Sequence, residues 1–294
     1  MNLATFLHRY GTSTACLKAI KELKYPKGIY CQKCEKVTKF HKIKGRQAYE
    51  CSCGFQVYPL KGTIFENSKT PLQYWFYAIF VMSATRSGVS AKQLQRELAV
   101  SYKTAWRIMM KLRKVMAESN TGLLTGEVEV DETFVGGKGY NRGRQWWQGW
   151  EEKEKQVVFG MVERGGRVRT RHVPNTGKRT LLKPIKGHIH PKAFIHSDNL
   201  NAYWNLHKEG YKHDLVNHSR KFVDGPAHTQ NIENFWSHFK RGVTGVYRHV
   251  SPKYLNLYSE EYAFRYNLKG CPGFEKILEN TVQPVYTNHG INNG

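Results

Sequence analysis

The sequence predicts a multidomain α+β protein, and three observations support this prediction. Two closely spaced cysteine pairs lie in the first sixty residues, helical apolar periodicity follows from about residue 70 to 120, and strand-like segments begin after residue 121. The chain has 294 residues, of which 40% are hydrophobic. This composition can bury a core in two or three compact units and excludes disordered and fibrous classes.

The cysteine pairs are Cys31 with Cys34 and Cys51 with Cys53, separated by sixteen residues. Gly54 follows the second pair and lets the chain turn tightly behind it. Tetrahedral Zn²⁺ is bound by such paired thiolates, and a ribbon too small for its own core gains folding energy from the metal. We therefore predict a structural zinc ribbon with these four ligands.

One feature of the cysteine pairs leaves an alternative open. The second pair has one intervening residue where two are more usual, so the four cysteines could be reduced and buried without metal. His41 is a reserve ligand. Cys16 and Cys271 have no partners in the sequence and are predicted to be small core residues.

The charge is strongly positive and uneven. Lys and Arg number 46 against 23 Asp and Glu, a formal net charge of +23. Residues 1–120 hold 21 basic and 6 acidic residues, net +15, whereas residues 121–294 hold 25 and 17, net +8. A solvated basic surface is possible, but aromatic residues between the charges favour double-stranded DNA as the partner of the first part.

The longest apolar stretch runs for fourteen residues from Pro71 to Ala84, with Gln73 inside it. A membrane-spanning helix needs about 20, so this stretch is predicted to be a buried helix. The N-terminus lacks the pattern of a secretory signal. We expect no membrane partner and a cytoplasmic location, on the nucleoid if the source is bacterial.

A helix-turn-helix is predicted after the buried helix. Ser90 can cap one short helix and Ser101, after the turn at 99–100, can cap the next. A recognition helix of this kind meets bases and phosphates near its N-terminus. The candidate DNA-binding residues there are Tyr102, Lys103, Thr104 and Arg107. The alternative is an ordinary helical hairpin with a basic solvent face.

The second half has the element order of a ribonuclease H-like α/β domain, three strands followed by alternating helix and strand. The predicted strands are 126–135, 156–163, 167–173, 193–197 and 213–217, and the predicted helices are 176–187, 199–208 and 229–243.

Three carboxylates fall at matching places in this topology. Asp131 lies in the first strand, Asp198 ends the fourth, and Glu233 lies in the last helix, with separations of 67 and 35 residues. Oxygen ligands converging at one sheet edge suit a pair of Mg²⁺ or Mn²⁺ ions about 3.5–4 Å apart, which catalyse phosphoryl transfer by in-line displacement. We predict a catalytic metal site formed by these three residues.

Other acidic residues compete for the same roles. Each carboxylate alone could be a surface charge or a helix cap. The competitors for Asp131 are Glu127, Glu129 and Glu132, and the other alternative positions are Asp214 and Asp224.

Two further basic features belong to the candidate site. Lys240 lies seven residues after Glu233, almost two helical turns, and therefore on the same helix face. It could hold a phosphate or be a solvated lysine. A loop at 136–155, rich in Gly, Trp, Arg and Lys, is predicted to contact phosphate through Lys138, Arg142 and Arg144.

Several sequence blocks together resemble one family over nearly the whole chain, from about Phe6 to Asn267. The blocks are GTIF (62–65), PLQYWF (71–76), VDETFVGGK (130–138), HSDNLNAYWNL (196–206), VNHSRKFVDG (216–225), HTQNIENFWSHFKRGVTGVYRHVS (228–251) and FRYN (264–267). They resemble bacterial insertion-sequence transposases of the zinc-ribbon, DDE type, which are related to the Merlin transposons.

The resemblance implies a ribonuclease H-like catalytic domain and metal-dependent DNA cleavage and strand transfer. It also implies that Asp131, Asp198 and Glu233 are the catalytic triad and that Lys240 matches the helix lysine of the family. The shortened second cysteine pair departs from the family pattern and concerns the zinc geometry, not catalysis.

The expected organisation has five segments. These are an N-terminal helical segment (1–28), the zinc ribbon (29–60), the helix-turn-helix (69–120), the catalytic domain (121–270) and a C-terminal tail (271–294). The predicted function is a transposase that binds terminal inverted repeats, cleaves there and joins the 3′ ends to target DNA, as a homodimer in the DNA complex. The alternatives are a transposase-derived DNA-binding regulator and a junction-type nuclease.

Overall fold

The computed structural model describes residues 1–136, 155–215, 229–268 and 270–283. Helices and a mixed sheet occur in the same chain, so the α+β class is confirmed. The chain divides into two compact units. The first comprises Met1–Thr85, Ala91–Val115 and Cys271–Gly294, and the second comprises Arg86–Ser90 and Met116–Gly270.

Four helices of the first unit pack together, and three of them share an aromatic core. The four helices are α1 (Leu3–Tyr10), α2 (Ser13–Lys24), α3 (Leu72–Ala84) and α9 (Gly273–Thr281). Phe274 of α9 lies 5.2 Å from the Tyr10 ring, and Tyr10 lies 5.1 Å from Phe76, between ring centroids. The segment after residue 270 therefore contributes a packed helix to this unit.

Five short strands lie between α2 and α3. They are β1 (Ile29–Cys31), β2 (Lys36–Thr38), β3 (Phe40–Lys42), β4 (Tyr49–Cys51) and β5 (Gln56–Val57). Strand β1 pairs with β2, and β3, β4 and β5 form a three-stranded sheet, all antiparallel. The two small sheets carry the cysteine pairs.

Two helices follow α3, namely α4 (Ala91–Leu98) and α5 (Tyr102–Ser119). The three-residue connection includes Ala99 in the left-handed region, with φ of 51°. The Ser101 hydroxyl accepts a hydrogen bond from the backbone N–H of Thr104 at 3.2 Å, so Ser101 caps α5 as the sequence predicts.

The second unit is built on a five-stranded sheet. Its strands are β6 (Glu127–Val135), β7 (Gln156–Glu163), β8 (Val168–Val173), β9 (Phe194–Ser197) and β10 (Lys212–Leu215), in the order β10-β9-β6-β7-β8. Strands β6, β7 and β8 are antiparallel neighbours, whereas β9 runs parallel to both β6 and β10. In the register of β6, Asp131 is opposite Gly160 and Val130 is opposite Ser197.

Helices cover both faces of this sheet. The helices of the unit are α6 (Lys178–His188), α7 (Gln230–Gly242) and α8 (Pro252–Asn267). Val128 and Val130 belong to the apolar cluster with α6. Val158 and Val162 belong to the cluster with α7 and α8. Alternate residues of each strand therefore serve opposite faces.

The predicted helix at 199–208 is wrong. The structure has turns there, followed by a single 3₁₀ turn at Leu206–Glu209. Local side-chain hydrogen bonds compete with the helix: Asp198 Oδ1 accepts the Leu200 N–H at 3.2 Å, and Asn199 Oδ1 accepts the Trp204 indole N–H at 3.1 Å.

Cys16 is buried as predicted, but Cys271 is exposed, so its placement in a core is wrong. Cys271 lies in the turn before α9, outside the packed aromatic face of that helix. Within the described ranges, no helix has the length and apolar character needed to cross a membrane.

Candidate active site

Asp131 and Asp198 are adjacent because of the parallel pairing of their strands. Val130 of β6 is opposite Ser197, the last residue of β9. The residues that follow them in the sequence are Asp131 and Asp198. Carboxylate oxygens of Asp131, Glu132 and Asp198 all lie within 4.8 Å of one another. The structure therefore brings together two of the three predicted triad residues and adds Glu132.

Glu132 had been considered only as a competitor of Asp131. Its Oε2 accepts a hydrogen bond from the hydroxyl of Tyr203 at 2.7 Å. Tyr203 is fully buried in the apolar cluster that includes residues of α6, so this contact holds the Glu132 carboxylate in place. In the sequence, only its position next to Asp131 indicates that Glu132 belongs to the site.

The carboxylates of this cluster disfavour one another's charged forms. Burial, and then the neighbouring Glu132 and Asp198, raise the pKa of Asp131 to about 7. The indole N–H of Trp236 donates to Asp131 and acts in the opposite direction. Burial also raises the pKa of Glu132. A cation would remove this mutual repulsion.

Glu233 lies in the first turn of α7 and is exposed. Its Oε1 accepts a hydrogen bond from the hydroxyl of Thr229 at 3.1 Å. Among the described residues, Glu233 does not belong to the group within 4.8 Å. Lys240 is also exposed on α7, whose apolar residues Ile232, Phe235, Trp236 and Phe239 are buried.

Trp236 is one of these buried apolar residues of α7. Its ring packs against Gly160, where a Cβ atom would lie 2.5 Å from the indole. Its Nε1 donates to Asp131 Oδ2 at 2.9 Å. A buried indole N–H usually requires a partner, which is the signal that could have pointed to this contact.

The four paired cysteines also converge. The Sγ atoms of Cys31, Cys34, Cys51 and Cys53 lie within 4.8 Å of one another, with Cys31 and Cys53 separated by 3.4 Å. Gly54 has φ of 83°, as the tight turn requires. His41, the reserve ligand, is outside this described group.

The surroundings of Cys51 favour its thiolate. A hydrogen bond from the backbone N–H of Cys53, and then one with the Thr38 hydroxyl, lower the pKa of Cys51 to about 6. The Thr38 oxygen lies 3.2 Å from the sulfur. Thiolates are the form of cysteine that binds zinc.

Three of the four candidate DNA-binding residues of α5 are exposed. These are Tyr102, Lys103 and Arg107, whereas Thr104 is half-buried. The guanidinium of Arg107 donates to the hydroxyl of Thr70 at 2.9 Å. A groove at the turn is lined by Lys92, Gln95, Arg96, Ala99 and Val100.

Lys92 and Arg96 are not among the DNA-binding residues that the sequence predicts. Their spacing of four residues places both on one face of α4, beside the start of α5. Lys138, Arg142 and Arg144 of the predicted phosphate-binding loop lie outside the described residues.

The donor atoms of each cluster suit the metal predicted for it. The acidic cluster offers hard oxygen ligands, as Mg²⁺ and Mn²⁺ prefer. The cysteine cluster offers four soft sulfur ligands, as structural zinc prefers. Both donor sets fit their respective ions.

The fold and these clusters define an α+β protein with separate acidic and thiol centres. Residues 123–267 match the model of the ISXO2-like transposase domain. The chain is 26% identical to a protein in transposable element ISH50 of Halobacterium salinarum, over 88% of this chain and 92% of that protein. It is 30% identical to a transposase-like protein of Haemophilus influenzae, over 38% of this chain and 89% of that protein. The chain therefore belongs to the insertion-sequence transposases with an ISXO2-like transposase domain.

Proposed function

We propose that this transposase binds the terminal inverted repeats of its element, cleaves the DNA there and joins the 3′ ends to target DNA by metal-dependent phosphoryl transfer. The main support is the side-by-side position of Asp131 and Asp198 at the end of two parallel strands. The catalytic unit is proposed to be a ribonuclease H-like domain, because its sheet has three antiparallel strands continued by parallel strands β9 and β10.

Asp131, Asp198 and Glu233 are proposed as ligands of Mg²⁺ or Mn²⁺. Bound divalent ions supply activation of the attacking oxygen and stabilisation of the leaving oxygen. Glu132 is the alternative third ligand, since its carboxylate already lies beside the two aspartates. Lys240 is proposed to hold a phosphate next to the one being attacked.

The first unit is proposed to recognise DNA ends through a zinc ribbon and a helix-turn-helix. Tyr102 and Lys103 are exposed at the N-terminus of α5, as a recognition helix requires. Thr104 and Arg107 are proposed to join them, although Arg107 must exchange its bond with Thr70 for a DNA contact.

Lys92 and Arg96 of α4 are proposed to bind phosphate and thereby set the register on the duplex. Lys138, Arg142 and Arg144 remain candidates for phosphate contacts. Because transposition holds two DNA ends together, we propose a homodimer in the DNA complex.

The decisive experiment uses Asp131→Asn and Asp198→Asn, incubated with end DNA and Mg²⁺. Both variants should lose the nick that exposes a 3′-hydroxyl, because each loses a charged metal ligand, while binding to the end stays near that of the wild type. Asp214→Asn, an exposed aspartate on β10, is the matched control and should cleave normally. Cleavage by both aspartate variants would refute the proposed site.

A second readout does not depend on DNA. Because burial and neighbouring carboxylates disfavour the ionised form of Asp131, Asp131→Asn should raise the melting temperature in EDTA by roughly 2–4 °C. Mg²⁺ should then stabilise the wild type but not the variant, because only the wild type keeps all its ligands. Equal stabilisation of both proteins by Mg²⁺ would contradict the assignment.

A further inference from the structure

Glu129 caps the helix that carries Glu233. It is fully buried in strand β6, two residues before Asp131. Its Oε2 accepts hydrogen bonds from the backbone N–H groups of Asn231 at 2.9 Å and Ile232 at 3.1 Å. Its Oε1 accepts a third bond from the Asn231 side-chain amide at 2.8 Å. A carboxylate of the central sheet thus occupies the N-terminus of α7.

The residue at the start of α7 does not perform this capping itself. Thr229 is in the N-cap position, but its side chain makes no capping hydrogen bond. Its hydroxyl donates to Glu233 instead. The first N–H groups of a helix lack partners within the helix and carry partial positive charge, so a carboxylate placed there is stabilising. Glu129 supplies the cap that Thr229 leaves open.

Glu129 forms an ion pair with Arg164. Nε of Arg164 donates to Glu129 Oε1 at 3.0 Å, and Nη1 of the same guanidinium contacts Glu127. Arg164 follows the end of β7, the antiparallel neighbour of β6. The anchor of α7 is therefore fixed by two strands of the sheet.

We infer that Glu129 is a positioning residue, which sets where Glu233 stands relative to Asp131. Residues two apart on a strand lie about 7 Å from each other on the same face, so one short piece of β6 determines both positions. Glu129 holds the turn of α7 in which Glu233 lies, and it does not itself need to touch the substrate. The inference rests on the proposed metal site and goes beyond it.

The test is a titration of the full-length protein with Mn²⁺ alone, following the free ion by electron paramagnetic resonance. Glu129→Gln should weaken Mn²⁺ binding by about 10- to 100-fold, the usual effect of removing a residue that orients metal ligands. The matched control is Glu260→Gln, a buried glutamate of α8 that pairs with Arg171 at 3.5 Å. It should lose stability without a change in Mn²⁺ affinity.

Asp131→Asn separates this inference from the proposed function. If Asp131→Asn binds Mn²⁺ as the wild type does, the metal site itself is wrong. If Asp131→Asn loses binding while Glu129→Gln binds like the wild type, only the positioning role is overturned. The same holds if Glu129→Gln and Glu260→Gln weaken binding equally, because general loosening would then explain both.

A milder variant serves if thermal melting shows that Glu129→Gln does not fold. Asn231→Ala removes one of the three bonds from α7 to Glu129 and leaves both backbone bonds in place. It should weaken Mn²⁺ binding by roughly tenfold, in line with the loss of one hydrogen bond to a charged group. Unchanged affinity in folded Asn231→Ala would overturn the inference.

Discussion

The indole N–H of Trp236 donates a hydrogen bond to Oδ2 of Asp131 across 2.9 Å. The contact joins α7 to the central strand β6. Gly160, opposite Asp131 on β7, permits the close approach, because a Cβ there would lie 2.5 Å from the indole ring. One oxygen of the proposed metal ligand is thus oriented by the helix that carries Glu233.

Trp236→Phe should lower Mg²⁺-dependent cleavage by about tenfold, the lower end of the usual effect of losing a partner of a metal ligand. The phenyl ring lacks the N–H donor, and it also lacks the indole atoms Cζ2 and Cη2 that lie nearest Gly160. The measurement is single-turnover cleavage over a range of Mg²⁺ concentrations.

The control is Trp75→Phe, which removes the indole bond to the Ser68 hydroxyl in the first unit. Its Mg²⁺ dependence should remain that of the wild type. Gly160→Ala should act in the same direction as Trp236→Phe, because the added methyl displaces the ring. A wild-type Mg²⁺ profile for Trp236→Phe would show that the contact serves packing alone.

The third carboxylate can be identified by comparing Glu233→Gln with Glu132→Gln. We expect Glu233→Gln to reduce cleavage by a factor on the order of 100 or more, and Glu132→Gln to reduce it much less, because its amide oxygen can still accept the Tyr203 bond. The measurement is cleavage of pre-bound end DNA in Mg²⁺. The reverse order of effects would make Glu132 the third ligand.

The cysteine cluster should bind about one zinc ion per chain, as four thiolates in tetrahedral geometry do. Cys31→Ser with Cys34→Ser should remove the metal and weaken binding to end DNA, since metal and fold are coupled in so small a ribbon. Metal analysis and a gel-shift titration measure the two effects. Cys271→Ser, an exposed cysteine outside the cluster, is the control. If the double variant contains no zinc and still binds end DNA fully, the cysteines serve only as packing residues.

Lys240→Ala should reduce cleavage and strand transfer far more than end binding, because the ammonium is proposed to hold a phosphate at the metal site. Arg241→Ala should do less, since its guanidinium already bonds to Ser237 and His238 on the same helix. Single-turnover cleavage of saturated complexes compares the two variants. Equal losses of cleavage in the two variants would show that Lys240 contributes only general surface charge.

Local patterns in the sequence predicted most elements of the fold. The strands predicted at 126–135 and 156–163 are present in the structure as β6 at Glu127–Val135 and β7 at Gln156–Glu163. The last helix is predicted at 229–243, and α7 spans Gln230–Gly242. These patterns are visible in the sequence because each depends on which side of a single element faces the core.

Two features that the sequence did not predict have different causes, one local and one long-range. The segment at 199–208 has residues suited to a helix, but Asp198 and Asn199 form side-chain hydrogen bonds that favour turns. The helix propensity of a ten-residue segment does not include these competing side-chain hydrogen bonds. Glu129 was recognised only as an alternative to Asp131, because nothing near it in the sequence shows that its partner is a helix about 100 residues later.

The sequence by itself determined the paired cysteines, the two aspartates at strand positions, the amphipathic α7 and the basic first part. Only the tertiary structure decided that Asp198 lies beside Asp131, that Glu132 joins them, and that Glu129 and Trp236 anchor α7 to β6. The physical reason is the separation along the chain between the residues in contact. Spacing and periodicity express contacts between near neighbours in the chain, whereas the register of β6 with β9 and the capping of α7 are set by pairing between distant segments.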